Sequence, residues 1–109
     1  MAKKSMKRFD IWLVMKNSEH GRVVDNLGLC TIVTPDELND LPSLMVAPMT
    51  TSSEELPSRV ECQFEGSKGY IMVDQIRAVE KFCFIKKLGK LELDVQVNLC
   101  DCLQEFFAL

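Results

Sequence analysis

The sequence predicts a mainly β domain, a small curled sheet or barrel, closed by one C-terminal α-helix. Three observations carry this. Five to seven short runs of branched, aromatic or alternating apolar residues, set apart by turn residues, fill the stretch from Arg8 to Gly89. Beyond Lys90 the apolar spacing changes to that of a helix. Finally, 109 residues, 47% of them hydrophobic, suffice for one core and leave no room for a second. Closure of the sheet protects so many short edges. The reading is a basic arm over residues 1–8 and a single domain over residues 9–109.

The arm carries Lys3, Lys4, Lys7 and Arg8 and reads as mobile, serving solubility or binding. Arg8 to Met15 is the first strand, with Phe9, Ile11 and Leu13 alternating against Asp10, Trp12 and Val14, and Trp12 as a packing residue. Lys16 to Gly28 is a long, mostly polar connection holding His20, the only histidine, beside Arg22. Connections of that length without structure of their own are uncommon and often functional. His20 suits proton transfer and Arg22 suits a phosphate, although loops attract both residues for solubility alone.

Leu29 to Thr34 is the second strand. Thr34 as N-cap, Pro35 at the first helical position and Glu37 three residues on predict a helix of about one turn. Leu44 to Met49 is a near-continuous apolar run, expected as a strand buried on both faces. It gives out at Thr50 and Thr51, where a hydroxyl pair at the end of a rigid strand is well held for a site. The plainer reading of Thr50 to Ser53 is turn chemistry. Arg59 to Phe64 alternates cleanly, Glu65 to Gly69 is a turn, and Tyr70 to Val73 is a short strand ending in Asp74-Gln75-Ile76-Arg77. That polar group reads either as a solvated strand end or as part of a site. Phe82 to Ile85 is the last strand. Val95, Leu99, Cys102, Leu103 and Phe106 then form one apolar helical stripe, and Phe107 and Leu109 widen it toward a dimer contact or a broader core face.

Composition narrows the function. No segment reaches the roughly 20 apolar residues that span a bilayer, and the basic start leads straight into a charged strand, unlike a secretory signal. A soluble, cytoplasmic protein is expected. Five cysteines without a C-x-x-C pair predict reduced thiols and argue against a disulfide framework or a zinc site. Net charge is −3, yet the first eight residues hold four of the 13 basic groups and none of the 16 acids, so the remainder carries −7. Such a body has no long-range attraction for nucleic acid, and any RNA contact rests on a local basic patch.

Four segments together resemble the MazF/PemK family of bacterial toxin–antitoxin ribonucleases. They are Phe9-Asp10-Ile11-Trp12-Leu13-Val14, similar to the family's opening G-(D/E)-I-W-x-V strand; Ile32-Val33-Thr34-Pro35 with Asn39; Val46-Ala47-Pro48-Met49-Thr50-Thr51; and Asp74-Gln75-Ile76-Arg77-Ala78-Val79-Glu80. The resemblance implies an SH3-like barrel, a homodimer, a cognate antitoxin and cleavage of single-stranded RNA without metal or cofactor. In that chemistry the ribose 2′-hydroxyl attacks the adjacent phosphate, leaving a cyclic phosphate and a 5′-hydroxyl. The family threonine falls on Thr50 and its strand-end acid on Asp74, with Thr51, Gln75 and Arg77 as RNA contacts. The two polar tips are expected to converge in one cleft. The family's Arg-Pro before the second strand falls on Gly28-Leu29, so its arginine is missing, and Arg22 with His20 stands in for it. Two alternatives remain: a non-catalytic, CcdB-like member that poisons gyrase by contact, and a degenerate member kept for antitoxin or operator binding.

Overall fold

The computed structural model describes residues 5–17, 24–51 and 56–108. Seven strands and one helix build it: β1 (Asp10–Asn17), β2 (Val24–Ile32), β3 (Ser43–Thr50), β4 (Arg59–Phe64), β5 (Ser67–Met72), β6 (Arg77–Glu80), β7 (Phe84–Lys90) and α1 (Leu93–Phe107). Single 3-10 turns stand at Asp36–Leu38, Val73–Gln75 and Lys81–Cys83. The strands form one antiparallel sheet in the order β4-β5-β3-β2-β1-β7, with β6 added beside β3. It curls into a half-barrel, bringing its outer strands together where a Cβ on Gly89 of β7 would lie 3.6 Å from the Phe64 ring of β4.

Strand β3 is the axis of the sheet. Ser43 to Val46 pair with β6, Met49 and Thr50 pair with β5, and Val46 to Pro48 pair with β2 on the other side. Its apolar run serves two cores, one on each face. Leu44 and Val46 join Trp12, Val14, Ile32 and Phe84, with Trp12 edge-on to Phe84 at 5.8 Å. Ala47 joins Ile11, Val60, Cys62 and Ile71 beneath α1, which contributes Val95 and Leu99. The run is buried on both faces from Val46 to Pro48, because each face serves a different core, whereas Met45 is exposed. Cys102 and Leu103 of the predicted stripe also pack there, whereas Phe106 and Phe107 lie largely exposed.

Several expectations are corrected. The polar connection after β1 is shorter than its sequence suggests, because β1 and β2 pair out to Asn17 and Val24. That hairpin bends at a bulge between Val14 and Met15, where Gly28 takes a φ of 72° that favours glycine. Thr34 does not cap the turn at Asp36–Leu38; its Oγ1 accepts a 2.7 Å hydrogen bond from the Met45 amide and ties the turn to β3 instead. Residues 5–8 are anchored and not part of a mobile arm: Met6 is buried in the first core, and the Arg8 amide donates to Asp36. Cys30, Cys62 and Cys83 are buried free thiols. Among the described residues no helix is long and apolar enough to cross a membrane.

Candidate functional site

Thr50 ends β3 opposite Tyr70 of β5, and Thr51 follows it, exposed. The two threonines line an open groove of about 400 Å³ together with Leu29, Phe64, Ser67 and Lys68. Three devices hold the threonine tip. The β3 strand behind it is buried on both faces from Val46 to Pro48. On the β5 side Gly69 lets the neighbouring backbone close in, for a Cβ there would stand 2.9 Å from the Thr50 carbonyl oxygen. On the β2 side Cys30 pairs with Pro48, two residues before Thr50, and Gly28 stands two residues before Cys30 at the bend of the β1–β2 hairpin. That hairpin is paired out to Asn17 and Val24. His20 and Arg22 themselves lie outside the described residues.

Asp74 does not converge with Thr50. Strand β5 runs antiparallel to β3, with Tyr70 opposite Thr50, so it leads away from the threonine tip into the 3-10 turn that holds Asp74. There the Asp74 carboxylate accepts a 3.1 Å hydrogen bond from the Ser58 hydroxyl and lies 3.7 Å from Nε of Arg59, whose side chain is mostly buried. It ties the start of β4 to the end of β5 beneath α1. The reason is directional: successive antiparallel strands present their C-terminal ends at opposite edges. Gln75 is exposed in the same 3-10 turn, and Arg77 is exposed on β6 opposite Val46. Neither of them lines the threonine groove.

The register also exposes a constellation that the sequence reading missed. Across β3, β5 and β4, Thr50, Tyr70 and Glu61 stand in one row, directly opposite one another and therefore on one face. Lys68 is two residues from Tyr70, on that same face. Its ammonium lies 3.1 Å from the Glu61 carboxylate and 5.9 Å from the centre of the Tyr70 ring. Lys68 holds its proton more tightly than a free lysine, chiefly through the hydrogen bond to Glu61 and then through that carboxylate's charge. The alternation of Arg59 to Phe64 pointed to one buried face, but only the pairing across three strands reveals the polar row.

A second, larger groove between β4 and α1 is lined by Glu61, Glu92, Asp94, Asp101 and Glu105, with Arg59 as its basic side chain. A third is apolar and lined by Leu38, Leu41, Met45, Ile76 and Phe107, among others. The apolar groove also counts Arg8, Thr34 and Ser43 in its lining, so what sets the threonine groove apart is its place at the end of β3, where Thr50 and Thr51 stand with Ser67 and Lys68.

Comparisons with known proteins agree with this architecture. A MazE–MazF structure from Deinococcus radiodurans superposes with a TM-score of 0.81 at 14% identity, covering 98% of this chain and 99% of that one. An endoribonuclease in complex with its cognate antitoxin, from a mycobacterial species, gives 0.78 at 17% identity over 96% and 97%. The Mycobacterium tuberculosis toxin MazF-mt6 gives 0.71 at 17% identity over 92% and 97%. At such identities the likeness shows a shared fold. No curated protein sequence matches the chain. The family model of the PemK-like, MazF-like toxins of type II toxin–antitoxin systems matches residues 7–107. With nearly its whole length so matched, and a MazF-like half-barrel closed by one C-terminal helix, the chain belongs to that family of toxins.

Proposed function

We propose that the protein is a metal-independent endoribonuclease toxin that cleaves single-stranded mRNA at the Thr50 groove. The observation that carries this reading is the hydroxyl pair Thr50–Thr51, held at the end of a doubly buried strand in an open groove that also contains a cation. Attack of a ribose 2′-hydroxyl on the adjacent phosphate needs the strand held in line, a proton moved and charge on the phosphate stabilised. The Thr50 hydroxyl donates to a phosphate oxygen, and Thr51 contacts the neighbouring nucleotide. His20 and Arg22, on the connection between β1 and β2, supply proton transfer and further positive charge. Asp74, engaged by Ser58 and Arg59, supports the frame, and the exposed Gln75 and Arg77 contact RNA beyond the groove.

As a toxin it acts in the cytoplasm, with a cognate antitoxin and as a homodimer. Solved relatives include toxins held by their antitoxins, and the exposed apolar residues Leu38, Leu41, Met45 and Phe107 suit such contacts.

Expression without antitoxin should arrest growth and leave RNA fragments with 5′-hydroxyl ends. The purified protein should cleave a mixed-sequence RNA in the presence of a chelator. Thr50→Ala should slow that cleavage by ~10²–10³, the usual loss when one charge-stabilising donor is removed. Intact RNA across varied sequences and buffers would overturn the reading. Gly28-Leu29, where the family resemblance puts Arg-Pro, favours the CcdB-like alternative of toxicity by binding alone. Toxicity that survives Thr50→Ala with RNA intact would establish it.

A further inference from the structure

We propose that Lys68 is the phosphate-contacting cation of the Thr50 groove and that Glu61 competes with the phosphate for it. This assignment rests on the RNA reading above and deepens it. Lys68 is the basic side chain among the described residues lining the groove, which otherwise offers hydroxyls, apolar groups and the Glu65 carboxylate. A polyanion entering there meets one charge that attracts it.

The backbone pins that charge. Phe64 pairs with Ser67 across a two-residue turn, Glu65-Gly66, with φ of 51° and 80°. Two positive φ values in succession are the hairpin geometry that fixes strand register most tightly. Lys68 is thereby the diagonal neighbour of Thr50, through Tyr70, and such neighbours stand about 7–8 Å apart on one face. One phosphate group, reached by a hydroxyl on one side and an ammonium on the other, fits that interval. The Tyr70 ring beneath the ammonium limits where it swings.

Glu61 sets the strength of the contact. Its carboxylate holds the same ammonium at 3.1 Å, and both side chains are more than half exposed. Exposed pairs of this kind exchange partners readily. Removing either partner leaves the core untouched, and the two removals act on RNA in opposite directions. A purely structural ion pair has no reason to do so.

The test measures binding apart from cleavage. A fluorescein-labelled 2′-O-methyl oligonucleotide, which lacks the attacking hydroxyl, is titrated by anisotropy over a series of KCl concentrations. Lys68→Ala should weaken binding about five- to tenfold at ~0.1 M salt. It should also lower the slope of log affinity against log salt by about 0.7, the value of one contact to a single-stranded phosphate. Lys68→Arg should restore the slope, and Glu61→Gln should tighten binding severalfold. If the wild-type protein binds but Lys68→Ala leaves the slope unchanged, or Glu61→Gln weakens binding, the assignment is overturned while the RNA reading stands. If the wild-type protein binds no oligonucleotide at any salt, the RNA reading falls and this assignment with it. Circular dichroism of each variant checks that the fold is kept.

Discussion

At the scale of single residues, Gly69 shows how closely the backbone frames the threonine tip. A methyl group there would press on the Thr50 carbonyl, which is backbone and cannot rotate aside. Gly69→Ala should therefore push β5 from the end of β3 and cost about 1–3 kcal/mol, as overpacking usually does. A fall in the thermal midpoint, with cleavage lowered about tenfold or more in the folded protein, would check it. Cys30 offers a second prediction. Burial pushes its thiol up to about 12, against the opposing charge of Arg77. In the unfolded chain the thiol titrates at about 8.5. Below that value both states hold the proton and the contribution to stability is complete. Between about 9 and 12 the unfolded chain has released a proton that the folded chain keeps, so stability falls as pH rises. Unfolding free energies from urea titrations at pH 8 and pH 10 should diverge more for the wild type than for Cys30→Ala, by about 1–2 kcal/mol.

Elements explain what was legible and what was not. Arg59 to Phe64 was readable to its ends because strict alternation survives wherever one strand face is wet. The apolar run of β3 was readable because its middle, Val46 to Pro48, is buried on both faces, although Met45 within the run is exposed. The extension of β2 to Val24 is hidden in a polar stretch, and β6 (Arg77–Glu80) starts at the last residue of the polar group that reads as a strand end. Neither carries enough apolar pattern to announce itself, and each is fixed by pairing with a neighbour distant in sequence. Register is the deeper gap. Sequence placed Asp74 at a strand end but could not say which edge of the sheet that end reached. Antiparallel pairing sends it toward α1, where Ser58 and Arg59 engage it. The same pairing delivered Lys68, which nothing in its own sequence neighbourhood marked. Asp74→Asn should thus leave the mostly buried Arg59 guanidinium poorly compensated and destabilise the fold by about 1–3 kcal/mol. Cleavage per folded molecule should remain near the wild-type level. A large loss of cleavage at unchanged stability would return Asp74 to the chemistry.

Across the whole molecule, charge is divided by position and not merely by amount. The first eight residues hold four basic groups and no acid, and the rest of the chain is acidic. Much of that acid is gathered on α1 and β4, where Glu92, Asp94, Asp101 and Glu105 line one groove. The threonine tip lies on another part of the surface, lined by different residues apart from the shared Cys62. An RNA strand approaching the helix side meets repulsion, and one approaching the Thr50 groove meets Lys68. On the proposed RNA reading, the acidic side would steer by exclusion, narrowing productive encounters while slowing the overall rate of approach. Neutralising it with Asp94→Asn, Asp101→Asn and Glu105→Gln, none of which lines the Thr50 groove, should raise the association rate of a single-stranded oligonucleotide. At an ionic strength of about 0.02 M the gain should be roughly threefold or more, and at about 0.5 M it should vanish, because salt screens charges separated by more than a few ångströms. Stopped-flow anisotropy at the two salt concentrations checks this. A gain that persists at high salt would mean that the helix side touches the RNA directly, and a gain at neither would mean that the acidic groove lies outside the path of approach.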